Sequence, residues 1–155
     1  MPRILTAPRT HSAPGGPGGP PRIHRYELAA DGLTPSRLRR WIAGRLTDWQ
    51  VPHLVDDLTL IASELATNAV RHGGTSALAT LSISESDAAP RVVRLEIQDS
   101  GPGFDPDACL RAVDHPDATE RCGGRGLLLV AALSSAWGAS HTGAGQLVWA
   151  EMAAH

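Results

Sequence analysis

The chain contains no lysine, since all 14 of its basic residues are arginine. It can therefore form no Walker A phosphate loop, no Schiff base and no lysine nucleophile, which removes several large enzyme classes. Cysteine is almost absent. Cys109 and Cys122 are the only two; they make no CxxC pair and have no histidines at zinc-finger spacing, so no zinc module is expected and a reduced, cytosolic compartment is the simplest expectation. Long apolar runs are missing as well. Nothing approaches the ~18 apolar residues that suggest a membrane span, and the stretch around Arg3 lacks the continuous apolar core of a signal peptide. The expectation is a cytoplasmic protein with no membrane contact. The formal charge of −2, from 16 acidic and 14 basic residues, creates no overall field favouring nucleic acid, so partners must be recognised by local surfaces.

What is present fits one domain. The run Pro14-Gly15-Gly16-Pro17-Gly18-Gly19-Pro20-Pro21 cannot bury enough apolar surface to offset its ordering entropy, so residues 1–21 are expected to be a disordered tail. Residues 22–155 remain for a single domain. Ile23 to Leu28 reads as a short strand. Thr34-Pro35 then resembles a helix start, with Leu38, Trp41, Ile42, Leu46 and Trp49 at helical spacing. A second helix is expected from about His53 to His72, with Leu54, Leu58, Ile61, Leu65 and Val70 as its apolar stripe and Gly73-Gly74 stopping it. Alternation predicts strands over residues 79–84 and 93–99. Ser100 to Gly124 is loop-like and long enough to suggest a ligand-covering lid. A buried helix over Gly126–Leu133 and two strands, about Ala136–Thr142 and Leu147–Met152, complete the pattern. The expected fold is α/β of the α+β kind: a two-layer sandwich in which helices cover one face of a mixed, mainly antiparallel sheet.

Three segments carry chemistry. On the second helix, Glu64, Asn68 and His72 lie one above another beside the Ile61–Leu65 stripe, which aims a carboxylate and an amide toward the core. Burying such groups without partners costs about 1–3 kcal/mol each, so a hydrogen-bond network or a ligand must meet them. In the following strand, parity places Asp99 on the same inward face as Val93, Leu95 and Ile97. It opens Asp99-Ser100-Gly101-Pro102-Gly103, where the glycines let backbone approach a flat ligand and the carboxylate can accept from an exocyclic amine such as that of adenine. An ordinary Asp-Gly turn would read the same way. Finally, Gly123-Gly124-Arg125-Gly126-Leu127 runs into a helix N-terminus, where free N–H groups favour phosphate, although a plain hinge is equally compatible.

Taken in order, Glu64-x-x-x-Asn68, Asp99-x-Gly101-x-Gly103 and Gly124-x-Gly126-Leu127 are far more specific than any one of them. Together they resemble the GHKL ATPase superfamily with its Bergerat ATP-binding fold. Within it, Glu64-Leu65-Ala66-Thr67-Asn68-Ala69-Val70-Arg71-His72 and the Trp149-Ala150-Glu151 ending resemble the small anti-sigma-factor serine kinases. The resemblance implies that ATP and Mg2+ are bound, with Asn68 as a magnesium ligand, Glu64 as the general base or the residue that orients the nucleophile, and Asp99 on the adenine amine. It implies further that Gly101 and Gly103 line the adenine side, and that Gly124, Arg125, Gly126 and Leu127 hold the phosphates. The implied partners are an anti-sigma-factor antagonist, as substrate, and a sigma factor, with a homodimer also allowed and no direct contact to nucleic acid. A nucleotide-binding interaction module without kinase activity is the competing expectation. A histidine-kinase catalytic domain is less expected, because no length remains for a phosphoacceptor helix pair.

Overall fold

A computed structural model describes residues 19–29, 34–72, 76–85, 90–101, 126–142 and 145–154, with only the backbone at 71, 72 and 142. Its elements run β1 (Arg22–Ala29), α1 (Thr34–Asp48), α2 (Val55–His72), β2 (Ser76–Ile83), β3 (Arg91–Asp99), α3 (Gly126–Leu133), β4 (Ala136–Thr142) and β5 (Gly145–Ala154). The tail expected over residues 1–21 lies, for residues 1–18, outside the described residues. Among the described residues, no helix is long and apolar enough to cross a membrane.

The five strands form one sheet in the order β1-β2-β3-β5-β4. All four pairings among the described residues are antiparallel, so the parallel component of the expected mixed sheet is not seen there. One face alternates Leu81, Ile83, Val93, Leu95 and Ile97, all essentially inaccessible to solvent. These pack with Leu58, Ile61 and Leu65 of α2 in a single core, which leaves the helices on one side of the sheet. On the other face, Arg94 bonds Glu96 at 2.7 Å and Glu151 at 2.9 Å and stacks on Trp149 at 4.2 Å. Period-two alternation in β3 thus separates an apolar side from a charged one.

Helix α1 begins with Pro35 at its first turn, where a missing N–H costs nothing. The Thr34 hydroxyl donates to the Ala29 carbonyl and ties the helix to the end of β1. Leu38, Ile42 and Leu46 recur every four residues and are fully buried. At the far end, Val51 N–H reaches back to the Leu46 carbonyl at 2.9 Å, and Gln50 N–H bonds the Thr47 carbonyl at 3.0 Å. Gln50 has φ 60°. Together these make a Schellman cap with a non-glycine residue in its left-handed position, closed by buried Leu46 and Val51. A side chain there opposes the conformation, so Gln50→Gly is expected to raise stability by about 0.5–1 kcal/mol after the greater freedom of the unfolded glycine is deducted. Urea denaturation measures this.

The expected second helix is present with two differences. Pro52–Leu54 form a 3-10 turn, and the α-helix proper starts at Val55, with Asp56 and Asp57 in its first turn at the positive pole. Val70 is 38% exposed rather than part of the stripe. Five residues beyond Leu65 at ~100° each place it roughly 140° off the core direction, while Ala62, Ala66 and Ala69 fill the buried face.

Candidate functional site

Asn68 sits on the buried side of α2 and is only 7% exposed. Its Nδ2 has no hydrogen-bond partner among the described residues. A buried amide left in that state costs about 1–3 kcal/mol, so a polar ligand that meets it gains there. Rotation about the terminal bond exchanges the two ends of the amide, and either oxygen or nitrogen can meet that ligand. Glu64 lies one turn earlier on the same face and is partly buried.

Helix α3 meets α2 at Glu64. A Cβ built on Gly126 would collide with the Glu64 Oε2 and lie 3.3 Å from its Cδ and 3.5 Å from its Cβ. A side chain at position 126 would require the Glu64 carboxylate to swing aside. Leu127 is 2% exposed and its side chain belongs to the hydrophobic core, so only its backbone can serve a ligand. Gly103, Gly124 and Arg125 lie outside the described residues, as do positions 102–124 of the expected lid.

Asp99 ends β3 on the inward face, 8% exposed, as strand parity predicts. Its Oδ1 accepts the Gly101 N–H at 2.8 Å, a local turn in which a short carboxylate bonds the backbone two residues on. The Gln98 side chain donates to the Asp99 carbonyl at 3.0 Å. One Asp99 oxygen thus organises the turn, and a carboxylate's other oxygen can accept from a further donor. A cleft of about 660 Å³ opens against Asp99 and Ser100 at the ends of β1, β2 and β3, with Glu27, Ser76 and Gln98 among its walls. That volume is in the range of small-molecule sites. Its lining includes Asp99 but not Glu64, Asn68 or Gly126.

Two further residues shape this corner and were not read from the sequence as site residues. Gly145, at the start of β5, has φ +128°, and a Cβ there would overlap the Asp99 carbonyl oxygen and lie 2.7 Å from the Ser100 Cα. Its neighbour Gln146 is a buried polar residue, 3% exposed. The sequence shows Gly145 only as part of a Gly-Ala-Gly turn. Its role emerges from the pairing of β3 with β5, which no local signal encodes.

The arrangement has two poles. A carboxylate with one oxygen in a turn stands at the end of the central strand, and a glutamate stands by the start of α3 with a buried amide one turn along α2. The first suits an amine-bearing ring. The second suits phosphate oxygens and a hard cation. A family model described as the histidine kinase-like ATPase domain matches residues 28–152, a span that contains all of these residues. A search of curated proteins found no match.

Proposed function

Because the chain belongs to the histidine kinase-like ATPase domain family, a family of ATP-binding domains, we propose that it is an ATP- and magnesium-dependent protein serine kinase. Its substrate in this reading is an anti-sigma-factor antagonist, and the kinase sequesters a sigma factor when that antagonist is absent. The observation that carries the reading is the buried Asn68 amide, unpartnered among the described residues and one turn from Glu64, with Glu64 itself against Gly126 at the start of α3. These are the groups that a triphosphate, its cation and a nucleophile require in one place. The kinase class and the protein partners rest on the sequence resemblance.

In this proposal Asp99 accepts from the adenine amine, and Gly101 lets the backbone approach the ring. Gly103, Gly124, Arg125 and the backbone at Gly126 and Leu127 line the remainder of the nucleotide. Asn68 would hold a magnesium ion, which would supply neutralisation of phosphate charge. Glu64 takes the proton from the incoming serine hydroxyl as its oxygen bonds the γ-phosphorus, ADP departs, and the proton passes to solvent. Positioning supplies most of the acceleration in such reactions.

The test is transfer of label from γ-labelled ATP to a serine-bearing antagonist protein. The wild type is expected to label the antagonist, and Glu64→Ala to lose activity by about 10²–10⁴-fold, the usual contribution of a general base. Binding of ATP with no labelled product would instead establish an interaction module that uses nucleotide only to stabilise a partner surface.

A further inference from the structure

Helix α1 concentrates positive charge. Arg37, Arg39, Arg40 and Arg45 stand against a single acid, Asp48, within its 15 residues, whereas residues 49–155 carry six arginines against thirteen acidic residues. The small net charge of the chain therefore conceals a basic helix on an acidic body. Asp48 is already met by Arg45 at 3.4 Å. Arg39 and Arg40 are exposed and have no ion-pair partner among the described residues. Gly44 lies one turn beyond Arg40 on the same side of the helix. It is exposed, and a Cβ built on it would meet nothing within 4 Å. Its backbone is not left-handed, since Gly145 alone among the described glycines has a positive φ. Neither packing nor conformation among the described residues requires a glycine at 44, and glycine inside a helix weakens it. What the missing side chain provides at an exposed position is close approach by another backbone. Trp41 borders the same opening, three residues before Gly44. It stacks with Tyr26 at 5.3 Å and packs against the core, yet stays partly exposed. Tryptophan and arginine are the residues that most often dominate the energy of an interface.

We propose that this face of α1 docks an acidic helix of a partner protein, which crosses α1 at Gly44, covers Trp41 and sets a carboxylate on Arg40 within the field of Arg37 and Arg39. A helix fits better than a nucleic acid. The bare backbone at Gly44 admits a close-packed chain, whereas phosphates are met by the long arginine side chains alone, and the acidic body repels a polyanion longer than the patch. Charge steers the partner in, because exposed ion pairs add little affinity each. Trp41 and the close contact at Gly44 hold it. The surface shares no residue with the nucleotide pocket, so the inference goes beyond the ATP reading and does not rest on it.

The probe is a synthetic peptide of about 18 residues, long enough to form a helix, with glutamate at every fourth position and alanine and leucine between. It is titrated into the isotope-labelled full chain while the backbone amide resonances are followed. Saturable binding is expected, with shifts centred on residues 37–48 and an affinity that falls as salt is raised. Arg40→Gln is expected to bind about tenfold more weakly. Gly44→Gln separates docking from folding. It is expected to melt about 2–3 °C higher, because a helix former replaces glycine, and yet to bind the peptide about tenfold more weakly, because the opening is filled. A glycine that serves no partner would give the higher melting temperature with wild-type affinity, and that result overturns the proposal. So does an absence of binding, a set of shifts away from α1, or equal binding of a double-stranded oligonucleotide, which would mark a general polyanion surface. If ATP titrations fail while the peptide binds, the nucleotide reading falls and the docking face stands.

Discussion

Gly145→Ala is expected to lower stability by about 3 kcal/mol, the sum of a left-handed backbone and a steric overlap that cannot relax. At φ +128° an L-residue is strained whatever the space around it. Here there is no space either. The added methyl would overlap the Asp99 carbonyl oxygen and approach the Ser100 Cα to 2.7 Å and the Asp99 carbonyl carbon to 2.8 Å. All three are main-chain atoms, which do not swing aside as a flexible side chain does. The start of β5 or the end of β3 must move, and β3 ends in the carboxylate of the candidate pocket. A fall in melting temperature of about 10 °C follows for a domain of this size, with loss of nucleotide affinity. Calorimetric melting measures the first effect, and wild-type stability in Gly145→Ala would show that the two strands do not approach this closely.

Asp99→Asn probes the same corner without disturbing the chain. The Gly101 N–H donates to the Asp99 Oδ1 at 2.8 Å, and an asparagine retains an oxygen for that bond. The second carboxylate oxygen becomes an NH2 group. An acceptor for the adenine amine is thereby replaced by a donor, so the ligand loses a hydrogen bond to a charged group and meets a donor in its place. Asp99 is 8% exposed, and water cannot easily repair the mismatch. ATP affinity is expected to fall about 100-fold, equivalent to about 2.7 kcal/mol, with little change in melting temperature of the empty protein. A variant that binds ATP as the wild type does would remove Asp99 from base recognition.

The features legible in the sequence were those set by short-range periodicity. Val93, Leu95, Ile97 and Asp99 share the buried face of β3 because side chains alternate along a strand, so the inward position of Asp99 needed no knowledge of the fold. Asn68 fell beside the Ile61–Leu65 stripe by helical arithmetic, and it is buried. The same arithmetic applied loosely placed Val70 on that stripe, when small alanines at 62, 66 and 69 fill it. Features that depend on elements meeting were not legible. Gln50 occupies a left-handed cap that glycine normally marks, so composition offered no cue. Gly145 owes its constraint to the register of β5 against β3. Gly126, expected in the phosphate cradle, also lies against a glutamate 62 positions earlier in the chain, Glu64, a meeting that no local signal encodes.

These residues act together only if the molecule holds ATP between Asp99 and the α2–α3 junction. The most direct test is a calorimetric titration of ATP with magnesium into the wild type and Asp99→Asn, with AMP and GTP as comparison ligands. The expected result is saturable binding of ATP to the wild type, preferred over GTP, and about 100-fold weaker binding to Asp99→Asn. No binding by the wild type, or equal binding by both proteins, would contradict it.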